Sequence, residues 1–284
     1  MPELAYVNGE FLPLERAVVP VEDRGYQFAD AVYEVLRVYA GRVFALEEHL
    51  GRLARSLAGI RLQPGLTGAE LQRLIAEAVR RSEFADATVY LQISRGVAKR
   101  HRGVAPGLTP MLVITVRPLA PPPATVRGPG VKLLTVPDDR WAHCDIKSVG
   151  LLANVLAYER AREAGADDAL FVDATGAVAE STAGNLFVVS GTRLRTPPNG
   201  PRLLAGVTRD KILGLASELG LQAETGPLRQ ADLTTAEEAF LTSTTAQVTP
   251  VAAVDGMRIG TETPGPVTAR VYQAFLALVK RGGR

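Results

Sequence analysis

The stretch DDRWAHCDIKSVGLLANVLAYERA, from Asp138 to Ala161, carries a lysine, Lys147, directly after the apolar Ile146. Helical spacing from Ser148 to Ala164 places that amine at a helix start, where the positive dipole end does nothing to stabilise an ammonium group. It reads either as a surface lysine or as an amine meant to be neutral or covalently engaged. Other chemistry-bearing residues are spread along the chain. AESTAGNLF sets Glu180 just before a small-residue turn that leads into a strand. LAGVTRD places a glycine ahead of a helix with Thr208 expected at the N-cap, and the backbone N–H groups of such an end attract anions. TSTT, Thr242 to Thr245, offers four hydroxyls in a row. Arg52 lies beside the apolar stripe of a predicted helix, where an arginine ordinarily snorkels to water. Taken singly, each patch is an ordinary cap, strand edge or surface charge.

These residues need elements to hold them. Asn8-Gly9 between two apolar arms predicts a hairpin, because a primed turn requires positive φ at both central residues. AVYEVLRVYAGRVFAL reads as a strand pair turning at Gly41-Arg42, and Leu46, Leu50, Leu53 and Leu57 then follow one side of a helix. Thr67 with Glu70 three residues later is a capping box that opens a second helix. TVYLQISRG and MLVITVRP read as strands. RPLAPPPATVRGPG then holds five prolines, which remove donors and fix φ. That stretch predicts an N-terminal α+β domain over 1–120, a proline-rich linker over 121–130 and a second domain over 131–284. Beyond it come the strand VKLLTV, strands turning at Thr175-Gly176 and Gly191-Thr192, a helix after Gly206, further strands and the C-terminal helix PVTARVYQAFLALVK.

Composition bounds the partners. A chain of 284 residues with 46% apolar and 22% charged residues is that of a soluble globular protein. A net charge of +2 is no footprint of a nucleic-acid binder. The single cysteine, Cys144, excludes an internal disulfide and a thiolate metal cluster. MPELAYVNGEF lacks the pattern of a signal peptide, and no apolar run approaches the roughly 18 residues of a membrane span. The expectation is a cytoplasmic protein with no metal, nucleic-acid or membrane partner.

Read together, the patches offer an amine able to form a Schiff base, two loops able to hold one phosphate and an acid able to meet a ring nitrogen. Those are the needs of pyridoxal phosphate. The segments EDRGYQFADAVYEVLRVYAG, RWAHCDIKSVGLL, VAESTAGNLF, LAGVTRD and FLTSTTAQVTPV, in that order, resemble the successive motifs of the class IV (fold type IV) aminotransferases, and within them the D-amino-acid aminotransferases. The resemblance implies an α+β fold of two domains with the cofactor in the interdomain cleft, and a homodimer. It implies Lys147 as the Schiff-base lysine and Glu180 as the partner of the pyridine nitrogen. It further implies Arg52, Val207, Thr208 and Thr244 as phosphate ligands, with Ser243 near the phenolic oxygen. Tyr33 and Arg100 match residues that trap the substrate α-carboxylate. Arg102 stands where the D-amino-acid enzymes carry a histidine, with His101 shifted by one. On an extended segment Arg100 and Arg102 share a face. The implied reaction is ping-pong transamination of a D-amino acid such as D-alanine with a 2-oxo acid such as 2-oxoglutarate. Branched-chain L-amino-acid aminotransferase and aminodeoxychorismate lyase are the alternatives on the same scaffold. His49, Trp141 and Cys144 read as structural or packing residues.

Overall fold

The computed structural model describes residues 3–119 and 128–282. The proline-rich stretch predicted as a linker lies largely outside them. The chain divides into two units. One is formed by the chain up to residue 119 together with Ile146–Gly150 and Gly282, the other by residues 128–145 and Leu151–Arg281. Ile146–Gly150, which the sequence reading puts in the second domain, therefore groups with the first unit.

In the first unit β1 (Leu4–Val7) and β2 (Glu10–Pro13) form the hairpin expected at Asn8-Gly9, with φ of 42° and 114° at the two turn residues. Helix α1 (Arg24–Phe28) leads into β3 (Ala31–Tyr39), and β4 (Arg42–Val43) turns back at Ala40-Gly41, one residue earlier than predicted. Helices α2 (Leu46–Gly59) and α3 (Gly68–Ser82) follow, then β5 (Ala87–Ser94) and β6 (Met111–Pro118). The strands form an antiparallel sheet in the order β2-β1-β6-β5-β3-β4. Alternation along β5 buries Ala87, Val89, Leu91 and Ile93 on one side. Against this side pack Leu53 and Leu57 of α2 and Leu71 and Ile75 of α3. The capping box of α3 is formed as predicted: Thr67 Oγ1 accepts from Glu70 N–H at 3.2 Å, and Glu70 Oε2 accepts from Thr67 N–H at 2.7 Å.

The second unit opens with β7 (Val131–Pro137), α4 (Leu152–Glu163) and β8 (Asp168–Val172), the two strands pairing in parallel. Then come β9 (Ala177–Ser181), β10 (Asn185–Ser190) and β11 (Arg193–Thr196). Helix α5 (Val207–Leu215), β12 (Gln222–Thr225), β13 (Leu228–Arg229) and α6 (Gln230–Thr234) follow. The unit closes with β14 (Glu238–Ser243), β15 (Gln247–Val254), β16 (Met257–Arg258) and α7 (Pro266–Lys280). The strand order is β12-β11-β10-β14-β15-β7-β8-β9-β13, with β16 on β15 and an extra pairing of β9 with β10. Residues from β7, β8, β10, β14 and β15 bury one continuous core.

The helix predicted from Ser148 begins instead at Leu152. Its inward side is made of small residues, Ala157 and Ala161, against Phe171 and Val136. Its large apolar residues Leu152, Val155 and Leu156 stay exposed. Among the described residues no helix is long and apolar enough to cross a membrane, and no three His, Cys, Asp or Glu side chains group as a metal site.

Candidate active site

In the first unit the site starts from an open strand edge. β4 pairs only with Val38 and Tyr39, so the same edge of β3 at Ala31–Tyr33 needs other partners. Residues 147–149 supply them. Tyr33 N–H donates to the Lys147 carbonyl at 3.0 Å, Val149 N–H donates to the Ala31 carbonyl at 3.2 Å, and Val32 bridges Ser148. Lys147 N–H also donates to Ser56 Oγ on α2 at 3.1 Å. This bridge, followed by Gly150, is why the helix cannot begin at Ser148. It also removes the dipole argument for the amine. Lys147 Nζ instead lies 4.3 Å from the Tyr33 ring centroid, a cation–π arrangement. Tyr33 stacks on Tyr90 at 5.5 Å, and Tyr90 Oη donates to Gln92 Oε1 at 2.6 Å. Burial, with Tyr33 adding to it, pushes the Tyr90 phenol up to about 12, so it remains a donor at neutral pH.

Arg52 does not snorkel. It is 5% exposed and forks onto Glu34, with Nε to Oε1 at 2.7 Å and Nη2 to Oε2 at 2.8 Å. His49 Nδ1 lies 2.8 Å from the same Oε2. Burial alone would raise the Glu34 carboxyl, but the bonds from Arg52 and His49 outweigh it and bring it down to about 2. His49 is lowered, mainly by burial. Sequence reasoning missed Glu34. Its signal was parity: it alternates with the core residues Val32, Leu36 and Val38, a place where an ionised carboxylate must be paired.

Arg100 and Arg102 lie on an exposed segment that bends at Arg100 and again at Arg102-Gly103, so strand alternation does not set their directions. The Arg100 guanidinium covers the Phe28 ring at 4.6 Å and donates to the Gln27 carbonyl at 3.3 Å. The Arg102 carbonyl, with those of His101 and Gly103, accepts from buried Arg24.

In the second unit three of the sequence motifs meet at Asn185, a residue the sequence reading gave no role. Asn185 Nδ2 donates to Glu180 Oε2 and to the Leu204 carbonyl, both at 3.0 Å. Its backbone is in register with Glu180 on one side and Thr242 on the other. Glu180, 6% exposed, also accepts from Leu204 N–H at 3.3 Å and from Arg140 Nη1 at 2.7 Å. Arg140 is the third residue without a predicted role, after Glu34 and Asn185.

Thr208 is not the N-cap of α5. That place belongs to Gly206, and Thr208 is the second helical residue. Glycine stands there for space, since its φ of −76° is ordinary. A Cβ at Gly206 would come within 1.9 Å of Asn185 Oδ1. No side chain caps the helix, and Val207 and Thr208 are buried at its start. Such an end supplies backbone donors and a positive dipole to an anion. Ser243 Oγ accepts from Ala246 N–H at 3.1 Å within the turn that carries Thr244 and the exposed Thr245. Within the second unit, a buried carboxylate and an uncapped helix start are donor and acceptor groups of the kinds that a pyridine nitrogen and a phosphate take. Trp141, expected to pack, is 46% exposed and edge-on to His143. The Cys144 thiol donates to the Trp141 carbonyl, and burial pushes its pKa up, away from reactivity.

The family model for "Amino-transferase class IV" matches residues 31–254, and the chain belongs to that family. It is a pyridoxal-phosphate-dependent aminotransferase of fold type IV, an α+β architecture. It is 40% identical to D-alanine aminotransferase of Bacillus licheniformis over 268 residues, 94% of each chain. It is 34% identical to a putative branched-chain-amino-acid aminotransferase of Methanocaldococcus jannaschii, over 95% of this chain and 94% of that one. Among solved structures, a T.th. branched-chain amino acid aminotransferase with pyridoxamine 5'-phosphate superposes with a TM-score of 0.91 at 29% identity, covering 100% of this chain and 96% of that one. The Escherichia coli branched-chain enzyme gives 0.87 at 29% identity, with 98% and 94% covered.

Proposed function

We propose that the chain transaminates D-amino acids such as D-alanine with 2-oxo acids such as 2-oxoglutarate. One observation carries the reading: Lys147 Nζ lies 4.3 Å from the ring of Tyr33, so the reacting amine has beside it the residue matched to the substrate-carboxylate tyrosine of D-amino-acid aminotransferases. Identity of 40% to a D-alanine aminotransferase over nearly the whole chain supports it.

When bound, the cofactor supplies an electron sink for the bond broken at the substrate Cα. Lys147 Nζ would hold the cofactor covalently and would take and return the proton at the substrate Cα. Glu180 would keep the proton on the ring nitrogen by its negative charge. Arg52, its plane fixed by Glu34, would give charge to the phosphate, and the N–H groups of Val207 and Thr208 and the hydroxyl of Thr244 would each offer it a donor. Ser243 orients the phenolic edge. Tyr33, Arg100 and Arg102 take the substrate carboxylate.

A homodimer and a cytoplasmic location belong to the same proposal. The exposed Leu152, Val155 and Leu156 on one helix offer the apolar surface a second copy covers.

The commitment of Arg100 to Phe28 and the Gln27 carbonyl favours a second reading, branched-chain L-amino-acid transamination. Turnover of D-alanine and L-leucine, each with 2-oxoglutarate, decides between them. D-alanine is expected to be the faster donor, and equal or better use of L-leucine overturns the D-amino-acid assignment.

A further inference from the structure

Glu180 is not an isolated carboxylate. Arg140 Nη1 donates to it at 2.7 Å, and Arg140 is in turn gripped by Asp138, with Nε to Oδ1 at 2.9 Å and Nη2 to Oδ2 at 3.1 Å. Nη2 also reaches the Arg202 carbonyl at 3.1 Å, and the guanidinium lies over the Phe171 ring at 4.1 Å. The side chains of Asp138, Arg140 and Glu180 are 1%, 5% and 8% exposed.

Resting on the reading that Glu180 serves a ring nitrogen, we propose that Asp138 and Arg140 are positioning residues whose paired charges set how strongly that nitrogen holds its proton.

The argument is one of charge in a dry place. Two carboxylates against one guanidinium leave the trio one negative charge in excess, and a buried excess charge is costly unless a partner meets it. A protonated ring nitrogen is such a partner, and a neutral one is not. The other charged side chains described beside the trio stand further off or in water. Arg202 Nη1 stands 3.9 Å from Asp138, but its side chain is 47% exposed and water screens it. Arg209 acts on Glu180 from further off and is itself paired with Asp210 at 3.1 Å. The Cys144 thiol is kept protonated by burial, and Asn185 and the Leu204 N–H are neutral donors. The order of charges makes the two members of the pair opposite in effect. Neutralising Asp138 leaves Arg140 acting on Glu180 at full strength, which weakens the hold on the ring proton. Neutralising Arg140 leaves two buried carboxylates with no guanidinium between them, which strengthens it. A residue that merely braced Glu180 would weaken the hold whichever partner was lost.

The test uses the holoenzyme loaded with pyridoxal phosphate labelled with 15N in the ring, its nitrogen shift followed by NMR against pH. Asp138→Asn is expected to lower the pH at which the ring nitrogen loses its proton by about one unit or more, and Arg140→Gln to raise it by a similar amount. Arg140→Lys, which keeps the charge, is expected to stay nearest the wild-type value. Should Arg140→Gln not fold, Arg140→Met removes the same charge while keeping the bulk over Phe171 and carries the same expected rise. Shifts of one sign for both neutral variants, or no shift in Asp138→Asn, overturn the proposal while leaving the aminotransferase assignment intact. Wild-type protein that takes up cofactor without a protonated ring nitrogen overturns both this proposal and the role given to Glu180.

Discussion

At the scale of single residues the weight falls on Lys147. Its backbone is tied on both sides, to Tyr33 through the carbonyl and to Ser56 through the N–H, so replacing the side chain leaves those bonds in place. What is lost is the amine over the Tyr33 ring. A positioned acid–base group is worth about 10²–10⁴ in rate, and in the proposed function the same nitrogen also anchors the cofactor. Lys147→Ala is therefore expected to lose at least about a thousandfold in turnover while keeping wild-type circular dichroism. Stopped assays with D-alanine check the rate, and turnover within tenfold of wild type removes Lys147 from the chemistry. Glu34 belongs to this scale as well. It shows how a buried arginine is held: a fork of two short bonds settles the plane of Arg52.

At the scale of elements, Gly206 decides how α5 begins. A methyl group there would sit 1.9 Å from Asn185 Oδ1, and Asn185 cannot simply turn away, because its amide holds Glu180 and the Leu204 carbonyl. Either the helix start moves or Glu180 loses a partner. Gly206→Ala is expected to cost about 1–3 kcal/mol of stability, the usual range for overpacking, and to weaken cofactor uptake. Thermal melts and pyridoxal phosphate titrations check both, and unchanged values in both show that the contact yields easily. This element also marks where sequence reading succeeds and fails. The opening of α5 after Gly206 was legible because glycine and a following polar run punctuate a helix; assigning the cap to Thr208 was not, because a cap is defined by backbone angles. The hairpin at Asn8-Gly9 and the capping box at Thr67 were legible since local chemistry alone fixes them. The start of α4 was not. Ser148 follows helical periodicity, yet a distant strand edge at Val32 claims its backbone. Asn185, Arg140 and Glu34 went unassigned for the same reason: each has a partner 15 to 40 residues away in sequence, beyond any local pattern.

At the scale of the whole molecule, 32 basic side chains nearly balance 30 acidic ones near neutrality, so acid strips a balance that the fold relies on. The trio of Glu34, His49 and Arg52 sets where that becomes costly. Glu34 is held at about 2 in the fold against an ordinary 4.5, so its stabilisation is complete above about 4.5 and fades as pH falls through about 2. His49 has the same sign. Burial lowers it below its ordinary 6.5, so as pH drops under that value the unfolded chain takes up its proton more readily than the fold does. The two effects add on the acid side, and neither draws on the alkaline side. Glu34→Gln isolates the carboxylate. At pH 7 it leaves the Arg52 guanidinium buried opposite a neutral amide, and removing one partner of a buried pair costs about 3–5 kcal/mol. The gap between variant and wild type is expected to shrink steadily below about pH 4.5, because the unfolded wild-type chain there takes up a proton at Glu34 that the fold, holding the group at about 2, does not. Urea unfolding midpoints measured at intervals from pH 7 to the lowest pH at which both proteins fold test this. A gap that stays constant over that range shows that Glu34 stabilises the first unit by packing and not by charge.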